Sequence, residues 1–106
     1  MSYTVGNVTF ATKDDVRAHA SRVLNLTGIG EVLTGADDTF ARALLAHHPD
    51  ASRKQGAGVI AIVVALIPKW GTRNFLVIRE DRSTDNWSIK KCITNLRPDD
   101  RSTKEV

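Results

Sequence analysis

Apolar positions recur along this chain with more than one period, and each period predicts a kind of element. Val8 and Phe10 alternate with Asn7 and Thr9, the period-two signature of a short strand. Thr12 followed by Asp15 makes a capping-box-like start. From Lys13 to about Leu26, Val16, Ala20, Val23 and Leu24 then share one helical face, opposite Lys13, Asp14, Arg17, Ser21 and Asn25. Gly28 is a plausible stop, and residues 27–36, with three glycines, read as a loop with one turn around Val32 and Leu33. Asp37 or Asp38 caps a second helix whose buried stripe is Phe40, Ala41, Leu44 and Leu45. Pro49 ends it by pushing His48 away from helical geometry.

Beyond a glycine-bearing loop at 48–58, the run Val59–Ile67 is apolar at both parities, which predicts a central strand covered on both faces. Pro68 ends it. Lys69-Trp70-Gly71-Thr72 connects it to a strand at 73–79 in which Phe75 and Val77 share a face with Arg79. Strands joined by so short a turn are antiparallel. Residues 80–85 turn the chain toward Trp87, and Ser88 caps a short helix with Ile89, Cys92, Ile93 and Leu96 at i, i+3, i+4 and i+7. The predicted fold is α+β: an antiparallel sheet of about three or four strands, two helices on one face, and a short C-terminal helix. Residues 1–96 form a single domain, and 97–106, lacking apolar periodicity, form a flexible tail.

Composition adds limits. A chain of 106 residues holds one core, and its longest apolar run is about half a membrane span. The first ten residues lack a basic and apolar signal pattern, and a lone Cys92 rules out an internal disulfide. The expectation is a cytoplasmic protein with no membrane association. Net charge is +3, unevenly placed: residues 1–52 carry four basic and six acidic side chains, residues 53–96 eight basic and three acidic. Such asymmetry suggests a polyanion partner, unless folding scatters the charges over several faces.

The candidate chemistry follows from that charge. Lys90 and Lys91 stand in the first turn of the last helix, where the helix dipole favours an anion. Arg53, Lys54, Lys69, Arg73 and Arg82 can extend such a site along a phosphate backbone, and Trp70 can stack on a base. Arg79 either pairs with Asp81 or Asp85 or reaches a phosphate. His47, His48 and Cys92 lack zinc-ligand spacing, so no metal is assigned, and no cofactor is expected. Cys92 sits on the apolar helical face, as a packed thiol would, and a Cys92–His48 nucleophile pair is the catalytic alternative.

His48-Pro49, Lys54, Gly56, Gly58, Phe75, Arg79, Asp81 and the run Trp87-Ser88-Ile89-Lys90-Lys91-Cys92 together resemble the DCL (DeCL) family, over about residues 10–93. Plant members of that family are linked to plastid ribosomal RNA maturation, and a related domain ends the largest subunits of plant-specific RNA polymerases. The resemblance implies an association with RNA and transcription machinery, and carries no catalytic residues. Arg82 stands where the family has a turn glycine, Asn86 where it has Asp, and Trp87 where it has Phe. A turn needing positive φ at Arg82 would be strained, and Asn86 cannot act as a base or metal ligand. The expected function is therefore a non-catalytic nucleic-acid-binding module, with RNA as first choice, in ribosomal RNA maturation or transcription. The alternatives are a protein-interaction module facing a ribosomal or polymerase-associated protein, or an enzyme with a Cys/His site.

Overall fold

Strand β4 (Thr72–Arg79) is the centre of the computed structural model, which describes residues 2–99. It pairs antiparallel with β3 (Val59–Ile67) on one side and β5 (Thr84–Asn86) on the other. A separate two-stranded ribbon joins β1 (Tyr3–Val5) to β2 (Val8–Phe10) through the two-residue turn Gly6-Asn7. Helices α1 (Lys13–Leu26) and α2 (Gly35–Leu45) pack on the sheet face that carries Ile62, Val64, Phe75 and Val77. Helix α3 (Ala51–Gln55) precedes β3, and α4 (Ile89–Thr94) closes the domain against α1 and α2.

The predicted α+β class and antiparallel sheet are present, and the details differ where short elements depend on distant partners. The stretch 48–58 holds α3 rather than an uninterrupted loop, and 84–86 is a strand rather than a turn. The second helix starts at Gly35 after Thr34, so Asp37 and Asp38 lie in its first turn instead of capping it. Residues 27–36 form no helical turn at Val32. Val32 instead bridges Val63, while Gly30 and Leu33 donate N–H groups to the carbonyls of Val64 and Ile62. That segment touches the outer edge of β3, and the sheet order β3–β4–β5 makes β4, not β3, the central strand. On the second face of β3 Ala61 lies opposite Ile78, Val63 opposite Leu76 and Ala65 opposite Asn74, and all but Val63 are only half-buried. Two-parity hydrophobicity reported burial in general, not the strand's place in the sheet.

The helix signals held because each is local. Thr12 Oγ1 accepts from the Asp15 N–H at 3.1 Å, and Ser88 Oγ accepts from the Lys91 N–H at 3.1 Å. The core collects Val16, Ala20, Phe40, Leu44, Ile62, Phe75, Trp87, Cys92 and Ile93, all but sealed from water. Each large aliphatic or aromatic side chain so buried contributes about 1.5–3 kcal/mol. Residues 100–106 of the expected tail lie outside the described residues. Asp99 lies beside β1, where its carboxylate accepts from Ser2 Oγ, the Thr4 N–H and Thr4 Oγ1.

The turn after β4 carries measurable strain. Arg82 has φ +72°, and among the described residues it alone departs from negative φ without being glycine. The left-handed conformation costs an L-residue about 1–2 kcal/mol. Arg82→Gly is expected to raise stability by about 0.5–1 kcal/mol after the entropy of an added glycine is subtracted. Thermal unfolding checks this: the midpoint should rise by a few degrees, and an unchanged or lower midpoint contradicts it.

Candidate functional site

The motif residues of the sequence meet at the Arg79 end of β4. Arg79 is buried, and its guanidinium donates to two segments: Nε to the Lys54 carbonyl at 2.9 Å in α3, and, in the β4–β5 hairpin, Nη1 to Ser83 Oγ at 2.9 Å and Nη2 to Asp85 at 3.3 Å. Lys54 closes the ring by donating from Nζ to the same Asp85 oxygen at 3.0 Å and to the Asn86 carbonyl at 3.1 Å. The result clasps α3 to the β4–β5 hairpin. Burial opposes ionisation of Asp85, but the Lys54 hydrogen bond and the charges of Lys54 and Arg79 outweigh it and hold its carboxyl below the usual range. Asp81 braces the turn by accepting from the Ser83 N–H at 3.0 Å and from its hydroxyl at 2.5 Å.

Two glycines make room for this clasp. Gly56 ends α3 at φ +51° and ψ −124°, and a Cβ there would lie 2.7 Å from Arg79 Cδ and 3.0 Å from its Nε. Gly58, at φ +119°, passes Glu80 closely and accepts the Glu80 N–H at its carbonyl. The His-Pro piece sets the approach to α3: His48 Nδ1 accepts from the Asp50 N–H at 2.9 Å, so a neutral ring carries its proton on Nε2. Burial is the main cause that lowers the His48 pKa. Lys54, Lys91 and Arg53 add to that effect, and Asp50 opposes it.

The predicted cations are thus divided. Arg53, Lys54, Arg82 and Lys91 lie around the clasp, where Arg53 is engaged by Asp50 and Lys54 by Asp85. Lys69, Trp70 and Arg73 lie at the opposite end of β4, about 24 Å away along eight extended residues. Arg73 has a structural task there, donating from Nη1 to the carbonyls of Leu24 at 2.9 Å and Thr27 at 2.7 Å. It supplies a cation to the end of α1, whose last turn has no basic residue. Lys90 and Lys91 diverge, as neighbours on a helix must: Lys91 acts on His48, whereas Lys90 faces α1. They do not converge on one anion.

Lys90 instead belongs to a groove between α1 and α4 of about 220 Å³, floored by Ala20, Leu24, Ile89 and Ile93 and rimmed by Arg17 and Lys90. Ser21 and Leu24 also line a second hollow of about 380 Å³, completed by Asn25, Gly71, Thr72 and Arg73. The two share Ser21 and Leu24, so these adjoining hollows, together the channel, follow α1 from Lys90 to Gly71 and Thr72 in the β3–β4 turn. At its end Trp70 is 67% exposed, with Lys69 Nζ 5.5 Å from its ring centroid. Among the described residues, Lys69, Lys90, Lys91 and Arg82 have no carboxylate partner. Arg17, Ser21 and Leu24 were not singled out from the sequence, because their stripe is visible as a wall only once α4 is known to lie beside it.

Cys92 is sealed in the core, and burial alone pushes its thiol up to about 12, so it stays protonated at neutral pH. A further hollow of about 300 Å³ lies beside Arg42. That guanidinium is already committed to Asp38 and to the carbonyls of Val59 and Ile60.

The family model described as Protein of unknown function (DUF3223) matches residues 21–93, from within α1 through the clasp and into α4. The chain belongs to that family. A solution NMR structure of an uncharacterized protein from Rhodospirillum rubrum, 34% identical, matches with a TM-score of 0.77 over 84% of this chain and 85% of that one. Protein EMBRYO DEFECTIVE 514 of Arabidopsis thaliana is 33% identical over 51 residues, 48% of this chain. The match spans about a quarter of that relative's length. The DUF3223 match encloses every residue of the clasp, and of the channel lining it leaves out Arg17 and Ala20.

Two outcomes test the clasp. Gly56→Ala is expected to cost about 2 kcal/mol or more, from a Gly-only backbone conformation and the collision with Arg79. Denaturant unfolding measures it, and a loss near zero contradicts the close approach. The second concerns pH. Because the Asp85 pKa is depressed by folding, its contribution is present above about pH 4 and lost as pH falls through the folded value. Asp85→Asn should be less stable than wild type at pH 7, and the two stability curves should converge toward pH 3. Parallel curves would show that Asp85 is not the linked group.

Proposed function

We propose that this chain is a non-catalytic nucleic-acid-binding module, with RNA as its polyanion, that takes a strand along the channel from Lys90 to the β3–β4 turn. The observation that carries this reading is the succession of these two hollows along α1. Lys90 lines the first together with Arg17, which also pairs with Asp14, and the second reaches Gly71 and Thr72 in the turn that carries Lys69 and the exposed Trp70. Phosphates supply most of the affinity in such complexes, and aromatic side chains offer bases a surface to stack on. The charges at the other end of the sheet contribute less, because Arg53, Lys54 and Arg79 are satisfied by Asp50 and Asp85. The sealed, protonated Cys92 supports a module without a thiol nucleophile. The motif resemblance to the DCL family, with its link to ribosomal RNA maturation, points the same way.

Titration of a fluorescein-labelled RNA, followed by anisotropy, tests the reading. With about three or four phosphate contacts, affinity should fall roughly 20- to 50-fold between 50 and 200 mM salt. The double reversal Lys69→Glu, Lys90→Glu should weaken binding at least about tenfold at low salt, while Arg82→Gln leaves it unchanged. Salt-independent binding, or equal loss from Arg82→Gln, would remove the channel from consideration.

A further inference from the structure

The channel's cross-section narrows the class of nucleic acid it takes, an inference that rests on the binding reading above. Between α1 and α4 its floor is apolar and its charges sit on the rims, Leu24, Ile89 and Ile93 below, Lys90 and the Asp14-paired Arg17 above, whereas toward the β3–β4 turn Ser21, Asn25, Thr72 and Arg73 make the lining polar. Phosphates cannot lie on such a floor without losing their hydration, whereas the flat apolar faces of bases can. A duplex hides those faces in its stack and offers only phosphates to the outside. At the far end Trp70 stands free on a turn, and one cation, Lys69, sits within cation–π range of its ring. A base stacking on that indole can bring its own phosphate toward Lys69. Gly71, at φ +63° with no atom within 4 Å of where a Cβ would be, leaves the approach beside the indole open.

We infer that the occupant is an unpaired strand, with bases turned into the channel, phosphates on the Lys90, Arg17 and Lys69 rim, and one base stacked on Trp70. Discrimination is between single-stranded and paired nucleic acid, not between sequences. The apolar floor between the helices and the indole face accept any base. The occluded length is short, of the order of four nucleotides, the lower end of single-strand site sizes.

The protein carries its own reporter for this. It has two tryptophans; Trp87 is 1% exposed beside Phe75, so changes in solvent-accessible indole emission come from Trp70. The test adds a ten-nucleotide single-stranded RNA, the same RNA annealed to its complement, or poly-glutamate, reading anisotropy and tryptophan emission together. The expected result is single-strand binding at least about tenfold tighter than duplex, with quenching of the exposed tryptophan. Trp70→Ala should lose about tenfold in single-strand affinity with an unchanged unfolding midpoint, and Trp70→Phe should retain part of it. Duplex binding as tight as single-strand binding, or binding with no change in Trp70 emission, overturns the inference and leaves the nucleic-acid reading standing. Poly-glutamate competing as well as RNA overturns both, as does the absence of binding to either RNA.

Discussion

A guanidinium taken almost wholly out of water has to be met by acceptors around its rim, and the acceptors for Arg79 come from two distant stretches of chain. The Lys54 carbonyl, Ser83 hydroxyl and Asp85 carboxylate converge on it, and Lys54 returns to Asp85 with its own ammonium. Losing one partner of a buried charge leaves the other uncompensated, which is far costlier than the net worth of the pair. Much of the local architecture follows from that requirement. Gly56 must lack a Cβ so that Arg79 can pass, α3 must end where it presents the Lys54 carbonyl, and β5 must pair with β4 so that Asp85 faces the sheet's buried side.

The clasp also explains why charge counted along the sequence misjudges charge on the surface. Residues 53–96 carry a clear basic excess, but part of it is consumed internally. Arg53 answers Asp50, Lys54 and Arg79 share Asp85, and Arg73 serves the carbonyls at the end of α1. Lys69, Arg73, Arg82, Lys90 and Lys91 are left without a carboxylate among the described residues and lie on different sides of the molecule. Only along the α1–α4 channel do cations, an apolar floor and an exposed aromatic ring occur in sequence. On the proposed reading, binding and architecture occupy different ends of the same strand.

Elements defined by local chemistry were legible in the sequence: α1 with its Thr12 cap, α4 with its Ser88 cap, and the β3–β4 hairpin. Three short elements were not. β1 and β5 have three residues each and α3 five; β1 pairs with the adjacent β2, while α3 and β5 are held together by Lys54 and Asp85, far apart in the chain. The strain at Arg82 was visible as a residue standing where a turn glycine is expected. The motif residues were recognisable as a set, but their joint purpose was not, because nothing in the order of Lys54, Gly56, Arg79 and Asp85 reveals that they share one ion cluster. Arg73 was read as a phosphate ligand because the sequence does not tell which helix end a strand will meet.

The central claim is that the motif builds the fold and that the channel does the binding. Asp85→Asn separates these most directly, because it weakens the clasp without touching the channel. Its affinity for single-stranded RNA, measured at a temperature where circular dichroism shows the variant fully folded, should equal that of wild type although its unfolding midpoint is lower. A folded variant that has lost RNA affinity would place the binding site at the clasp and contradict this account.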